Sequence, residues 1–132
     1  MAQLLEKIMQ SKIYLLFLVF VSLNCQSSGR EIIDSSQLKE LKSKGVPVVD
    51  IRTKKEYKSG HIPGVLHINF MTGNFMKEMK NFDRNEPIII YCAVGGRSGF
   101  AARMMLANGF KKVYDYSDGF KDWKERKEEI EK

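Results

Sequence analysis

Cysteine and histidine are scarce in this sequence of 132 residues. It holds two of each, Cys25 and Cys92, and His61 and His67. Two cysteines exclude a disulfide scaffold, because such a fold needs several bridges. Cys92, His61 and His67 do not have the spacing of a zinc site, so we expect no bound metal.

A long hydrophobic run and internal repeats are also absent. The most apolar run covers residues 13–23, which is too short for a helix that spans a bilayer, since that needs about 20 residues. Hydrophobic residues make up 43% and charged residues 29% of the chain. These proportions are typical of a globular domain and exclude a disordered chain. The length leaves room for one domain and a short appendage.

The first 29 residues have the layout of a secretory signal. Lys7 and Lys12 precede the apolar run, and a polar stretch over residues 26–29 follows it. A basic start, a short apolar segment and a small or polar exit are the three parts of such a signal. We therefore expect a signal peptide over residues 1–29, a mature domain over residues 30–132, and export of that domain.

Cys25, just beyond the apolar run, resembles the lipid-modified cysteine of bacterial lipoproteins. That motif usually has Leu three residues earlier and Gly or Ala just before the cysteine, where this chain has Ser22 and Asn24. Lipidation of Cys25, ordinary cleavage near residues 27–29 and an uncleaved anchor are the alternatives. The expected location is periplasmic, or lipid-anchored at a bacterial membrane.

Basic residues outnumber acidic ones, 22 to 16, which gives a formal net charge of +6. Without residues 1–29 the counts are 20 and 15, or +5, and eleven of the basic residues lie in residues 30–84. This surplus favours an anionic small substrate or an anionic membrane surface. The sequence contains no motif of interleaved basic and aromatic residues of the kind that binds nucleic acid, so nucleic acid is not an expected partner.

Helix-like and strand-like segments alternate through the mature domain. Such alternation predicts an α/β fold with a central parallel sheet of about four to five strands and helices on both faces. Ser35 or Ser36 is the expected cap of the first helix, and Thr72 that of another helix. The predicted helices cover residues 35–44, 54–59, 72–81, 98–108 and 120–130, and the predicted strands 46–51, 65–70, 88–91 and 112–114.

The tail, residues 121–132, carries five basic and five acidic residues. Balanced charge of this kind is typical of a solvated helix face rather than a binding arm.

The loop after the strand Ile88–Tyr91 carries most of the functional signal. It begins at Cys92 and continues through Ala93, Val94, Gly95, Gly96, Arg97 and Ser98 into a helix. Ligands of open α/β sheets bind at the carboxyl ends of the strands. Adjacent glycines let the backbone curl so that successive N–H groups point at one centre, and the helix start adds partial positive charge there.

Such an environment stabilises a thiolate, which is the nucleophilic form of cysteine. Arg97 adds a fixed cation suited to an oxyanion such as thiosulfate or phosphate. The alternative for Cys92 is a small apolar residue packed at a strand end. The coincidence of strand end, Gly-Gly turn, arginine and helix start favours the nucleophile.

The mature domain resembles a single-domain rhodanese of the thiosulfate sulfurtransferase type. Four pieces carry the resemblance in the family's order: residues 48–52, residues 56–64, the Cys92 loop, and residues 118–120 with Trp123. The family often has a small residue at the position of Leu66 and Gly at that of Asp118. The resemblance implies the rhodanese fold.

The resemblance also implies the chemistry. Cys92 attacks the outer sulfur of a small sulfur-containing anion such as thiosulfate, forms a persulfide and passes the sulfur to cyanide, a thiol or a partner protein. The N–H groups of residues 93–98 hold the persulfide's charge, and no metal or organic cofactor is needed. A thioredoxin-like protein or another thiol protein is an expected acceptor.

The other matching residues have structural interpretations. Asp50 and Arg52, at a strand end, are expected to form a polar network that supports the loop, and Glu56 to cap or pair locally. His61 is interpreted as a turn residue rather than a general base. His67 alternates with Leu66 and Ile68 on a strand, which favours ordinary packing.

Other functions compete with sulfur transfer. A cysteine-based phosphatase or arsenate reductase also places Cys in an anion-binding loop, but the phosphatase pattern has five residues between Cys and Arg, and this chain has four. A noncatalytic rhodanese-like module for binding or regulation usually lacks the cysteine. A sulfur relay to a protein partner uses the same persulfide, so the sequence does not separate it from thiosulfate turnover.

Overall fold

A computed structural model describes residues 1–9 and 28–132 of the chain. The apolar run at residues 13–23 and Cys25, which carry the predictions of export and lipidation, lie outside the described residues. Residues 2–9 are helical and exposed. No helix in the described part of the chain is both long and apolar enough to cross a membrane.

Strands and helices alternate along residues 29–125, as the sequence predicts. The strands are β1 (Gly29–Ile32), β2 (Val48–Asp50), β3 (Leu66–His67), β4 (Ile88–Tyr91) and β5 (Lys112–Tyr116). The helices are α1 (Ser35–Ser43), α2 (Lys54–Lys58), α3 (Phe75–Glu78), α4 (Gly96–Ala107) and α5 (Gly119–Glu125), with 3-10 turns at Phe70–Thr72 and Met79–Asn81.

The five strands form one parallel sheet in the order β1-β5-β4-β2-β3. The central strand β4 is buried along its whole length, because helices cover both faces. Its side chains alternate between two cores: Ile88 and Ile90 pack with residues of α3 and α4, and Ile89 and Tyr91 with residues of α1 and α5. This architecture confirms the predicted fold class and places Cys92 at the carboxyl edge of the sheet.

Strand β1 is absent from the sequence-based prediction. It pairs with β5, from Gly29 opposite Lys112 to Ile32 opposite Asp115. Its side chains alternate between half-buried and exposed, since the strand lies at an edge of the sheet. A short polar edge strand has too weak a hydrophobic pattern to be predicted from sequence.

Two predicted helix caps are wrong. The cap of α1 is Asp34, whose carboxylate accepts from the Gln37 N–H at 2.8 Å while the Gln37 side chain accepts from the Asp34 N–H. Neither Ser35 nor Ser36 has this role. Thr72 likewise caps no helix, because it ends a 3-10 turn that Asn69 caps.

The predicted helix over residues 72–81 is broken into short pieces. Gly73 adopts a left-handed φ of 75°, which a continuous α-helix does not allow, so only Phe75–Glu78 is α-helical before the next 3-10 turn. The preceding strand is also shorter than residues 65–70. It is an edge strand with β2 as its neighbour, and the chain turns into the 3-10 segment at Phe70.

The closing helix α5 ends at Glu125 rather than near residue 130. Lys127 has a left-handed φ of 57°, which stops the helix and turns the chain back over the domain. The Trp123 indole N–H donates to the Glu129 carbonyl at 2.8 Å. Glu131 and His61 exchange two backbone hydrogen bonds of 2.8 and 3.0 Å. The chain after α5 is therefore attached beside the carboxyl edge of the sheet.

Candidate active site

Cys92 lies between the end of β4 and the start of α4, and it is 1% exposed. The Gly95 N–H donates to its Sγ at 3.1 Å, and the Ser98 Oγ lies 3.7 Å from the same sulfur. The Ser98 hydroxyl in turn donates to the Gly95 carbonyl at 3.2 Å. The loop therefore folds around the sulfur, with a backbone N–H directed at it.

Helix α5 holds the outer side of this loop. The Phe120 N–H donates to the Cys92 carbonyl at 2.9 Å, and the Lys121 N–H donates to the Ala93 carbonyl at 3.1 Å. The C=O and N–H of a trans peptide point in opposite directions. The N–H groups of Ala93 and Val94, which belong to these same two peptides, therefore point away from α5.

Helix α4 supplies further N–H groups at the same place. At the start of this helix the Gly99 N–H donates to the carbonyl of Gly95, the cap residue, at 2.9 Å. Within residues 1–9 and 28–132, the N–H groups of Ala93, Val94, Gly96 and Arg97 donate to no backbone carbonyl. Free N–H groups at a helix start form a binding site for negative charge.

Two glycines allow the close backbone contacts. Gly95 has a φ of 91°, and a Cβ there would lie 2.2 Å from the Ser117 carbonyl oxygen. Gly119 has a φ of 68°, and its Cβ would lie 2.6 Å from the carbonyl oxygens of both Cys92 and Ala93. The second glycine of the pair, Gly96, has open space around it, so it is not under the same constraint.

The Arg97 side chain is bound by Glu56. Two guanidinium nitrogens donate to the two carboxylate oxygens of Glu56 at 2.7 and 2.8 Å. Thr53 caps α2 and also donates to Glu56, at 2.9 Å from its N–H and 2.7 Å from its hydroxyl. The bonds from Arg97, with those from Thr53, lower the pKa of Glu56 from 4.5 to about 2. The positive charge of Arg97, which the sequence predicts to suit an oxyanion, is therefore paired with a carboxylate of the protein itself.

Asp50 and Arg52 form a buried ion pair beneath the loop, 0% and 4% exposed. The closest contact, from Arg52 Nη2 to Asp50 Oδ2, measures 2.6 Å. Asp50 also accepts from the Tyr91 hydroxyl at 2.7 Å, and Arg52 donates to the Gly60 carbonyl at 2.8 Å. The Arg52 guanidinium lies 4.0 Å from the centre of the Phe120 ring. This network links β2, β4 and α5.

The rings of both histidines stack on one tyrosine, Tyr57. The Tyr57 ring centre is 3.7 Å from that of His61 and 4.5 Å from that of His67. His61 Nδ1 lies 3.1 Å from the Tyr57 carbonyl and His67 Nε2 lies 2.8 Å from the Arg52 carbonyl. Among the described residues, no group of three His, Cys, Asp or Glu is arranged to hold a metal ion.

Comparison with known proteins identifies the class of this domain. The model of the rhodanese-like domain family matches residues 34–126, so the chain belongs to the rhodanese-like family. The thiosulfate sulfurtransferase GlpE of Pseudomonas entomophila (strain L48) is 34% identical over 93 residues, which cover 70% of this chain and 83% of that protein. YrkF of Bacillus subtilis (strain 168) is 42% identical over 76 residues, and the match spans 58% of this chain and 40% of YrkF.

Solved structures agree with the fold. A rhodanese-related protein from Thermoplasma volcanium superposes with a TM-score of 0.66 at 24% identity, over 76% of this chain and 97% of that one. A rhodanese-like domain protein from Staphylococcus aureus gives a TM-score of 0.56 at 34% identity, over 63% and 81% of the two chains. The structural neighbours show the fold, and the family match together with the GlpE relatives supports sulfurtransferase activity in general.

Several residues of the site have contacts that sequence reasoning does not assign. The sequence indicates only that Tyr91 belongs to a strand, but in the structure its hydroxyl donates to the Asp50 carboxylate. Burial and the adjacent carboxylate raise the pKa of Tyr91, so the group is a neutral donor. Tyr57 and Gly119 occur in the matched sequence pieces without a role. Gly119 needs its left-handed φ because it lies against the distant Cys92 loop, whereas Tyr57 stacks on histidines only four and ten residues later.

The two loop glycines provide a matched test of this geometry. We expect Gly95→Ala to lower the free energy of unfolding by about 1–3 kcal/mol, because the new Cβ meets a carbonyl in a left-handed backbone region. Gly96→Ala is helical and unobstructed, so it should be neutral or stabilise by up to about 1 kcal/mol. Urea unfolding of both variants measures the difference. Equal stability of the two would contradict the described loop.

The Arg97–Glu56 pair predicts a dependence of stability on pH. Because the folded-state pKa of Glu56 lies below its ordinary value of 4.5, the pair stabilises the fold fully above pH 4.5. This contribution is lost as the pH falls towards 2. Urea unfolding should therefore show a larger deficit of Glu56→Gln relative to wild type at pH 6 than at pH 3. A deficit that is constant, or larger at pH 3, would show that the pair is not formed.

Proposed function

We propose that this domain is a sulfurtransferase that moves a sulfane sulfur from thiosulfate, or a similar small anion, to a thiophilic acceptor through a persulfide on Cys92. The placement of the Cys92 sulfur inside a loop of free N–H groups carries the proposal. A persulfide's terminal sulfur is negatively charged, and such groups stabilise it without a metal or an organic cofactor.

The reaction proceeds in two balanced steps. In the first, the Cys92 thiolate attacks the outer sulfur of thiosulfate, an S–S bond forms on Cys92, and the S–S bond of thiosulfate breaks to release sulfite. In the second, the acceptor attacks the terminal sulfur of the persulfide. Its bond to Cys92 breaks, and the electron pair returns to Cys92 as the thiolate.

The size of the loop favours this reaction over the phosphatase or arsenate reductase alternative. Arg97 does not separate the two, because thiosulfate and phosphate are both oxyanions and the guanidinium is bonded to Glu56 in either case. The loop between Cys92 and Arg97 is one residue shorter than the phosphatase pattern. A small cradle of backbone N–H groups suits a single sulfur atom better than a phosphoryl group.

Replacement of each cysteine provides the test. Wild type should form thiocyanate from thiosulfate and cyanide, Cys92→Ser should lose this activity by at least about 10³-fold, because the nucleophile is absent, and Cys25→Ser should retain it. Mass spectrometry after thiosulfate alone should show about 32 Da added on Cys92. Equal rates for wild type and Cys92→Ser would overturn the mechanism. Absence of the adduct in wild type would favour the noncatalytic binding module.

We propose further that residues 1–29 direct export and that Cys25 carries a lipid that anchors the domain to a bacterial membrane. The basic residues before an apolar run of eleven residues, and the cysteine that follows, support this proposal. In that compartment the sulfur acceptor is a thiol, either a small molecule or a thioredoxin-like protein that also maintains the supply of reductant.

Detergent partition of the full-length protein expressed in bacteria tests the anchor. Wild type should enter the detergent phase, and Cys25→Ala should move to the aqueous phase, because one or more acyl chains supply the membrane affinity. Cys92→Ser is the matched control and should partition like wild type. If Cys25→Ala also stays in the detergent phase, the cysteine is not the anchor.

A further inference from the structure

A cleft of about 670 Å³ opens beside the Cys92 loop. Ala93, Phe120 and Ile130 contribute apolar surface to it, and Lys121, Lys124 and Lys132 contribute three ammonium groups. The transfer from thiosulfate to cyanide described above does not use these lysines.

The backbone that carries these lysines is attached close to the Cys92 loop. Lys121 and Lys124 are three residues apart on α5, so they lie on one side of the helix, and the Lys121 N–H is bonded to the Ala93 carbonyl at 3.1 Å. Lys132 follows Glu131, whose backbone is bonded to His61. The cleft is therefore a second part of the same site rather than a separate surface.

The positive charge of the cleft is poorly compensated. Two other charged residues line it, but Arg52 is paired with Asp50, and Glu56 with Arg97. Lys121 has a single distant partner, Glu125, at 3.9 Å between exposed groups. Across the described residues, 1–9 and 28–132, neither Lys124 nor Lys132 forms a salt bridge.

Three of the five acidic residues in the tail, residues 121–132, are bound to groups outside the cleft. Asp122 accepts from Arg126 and the Tyr116 hydroxyl, Glu128 pairs with Lys39, and the Glu131 carboxylate accepts from the Gly64 N–H at 3.0 Å. The fold thus separates charges that the sequence interleaves. Lys121 and Lys124 remain exposed on α5, as expected of a solvated helix face, and with Lys132 they give the cleft a net positive charge.

The cleft is also much larger than thiosulfate. Pockets that bury a small organic ligand have volumes of about 300–1,000 Å³, and a five-atom anion fills little of this one. Its size, apolar surface and three cations together fit an organic anion with its charges placed away from the reacting sulfur.

On the basis of the proposed sulfur transfer, we infer that Lys121, Lys124 and Lys132 select the acceptor, which is a low-molecular-weight thiol with two or more acid groups distant from its sulfur. The thiolate R–S⁻ attacks the terminal sulfur of the Cys92 persulfide, and R–S–S⁻ forms as the S–S bond to Cys92 breaks. Cys92 leaves as a thiolate, so atoms and charge balance. The lysines bind the acid groups of R during this step.

Glutathione and its diethyl ester test the inference, because the two thiols differ in whether their carboxylates are charged. With thiosulfate as donor, wild type should show a kcat/KM about ten-fold higher for glutathione than for the ester, as expected for two or three screened ion pairs. In the variant Lys121→Gln/Lys124→Gln/Lys132→Gln this ratio should fall towards one. Raising the salt concentration should lower the wild-type ratio in the same direction.

A second triple variant controls for the loss of net charge. Lys77, Lys80 and Lys111 are exposed and do not line the cleft, so replacing all three by Gln should leave the wild-type ratio unchanged. Equal use of both thiols by wild type, or an equal fall of the ratio in the two triple variants, would overturn the inference. If either of these results is found but wild type still forms thiocyanate from thiosulfate and cyanide, the proposed sulfur transfer stands and only the acceptor inference fails. If wild type forms no thiocyanate, the sulfur transfer and the acceptor inference are both overturned.

Discussion

Two backbone hydrogen bonds from the start of α5 to the carbonyls of Cys92 and Ala93 determine much of this structure. They require an approach so close that a Cβ on Gly119 would overlap both carbonyl oxygens. They fix the direction of two peptide planes, so that the N–H groups of the loop face the opposite way. They also bring Phe120 over the Arg52 guanidinium and position Lys121 next to the loop.

A buried ion pair supports this arrangement from below. Asp50 and Arg52 are both removed from water, which is costly for charged groups unless each is fully bonded. The Tyr91 hydroxyl and the Gly60 carbonyl complete their hydrogen bonding, and these two groups belong to different segments of the chain. The pair is formed well only when β2, β4 and the turn after α2 are all in place, so it favours one arrangement of the loop's surroundings.

Local sequence patterns were sufficient to predict the parallel α/β sheet and the position of Cys92 at its carboxyl edge. The strand Ile88–Tyr91 is continuously apolar, and the glycines directly after it mark the turn. Contacts between distant residues were not predictable in the same way. Arg97 and Glu56 are 41 residues apart, and nothing near either shows that they pair. Asp34, rather than either of the two serines that follow it, caps the helix because its carboxylate reaches the Gln37 N–H.

The grouping of the lysines shows the same limit. Residues 121–132 contain equal numbers of acidic and basic side chains, and a helix through residue 130 would spread them around its axis. The left-handed Lys127 ends that helix and turns the chain back towards His61. Only this change of direction places Lys132 beside Lys121 and Lys124, and a single backbone angle of this kind has no reliable sequence signal.

Strand β1 has a consequence for handling the protein. All five strands run in the same direction, and Gly29 is paired with the first residue of β5, so the polypeptide enters the sheet at the edge opposite Cys92. Four residues of strand extend about 13 Å, which separates the entry point from the reactive thiol by roughly the height of the sheet. A fusion partner or surface linker joined ahead of Gly29 therefore starts from the far side of the domain, whereas one added after Lys132 starts at the mouth of the cleft.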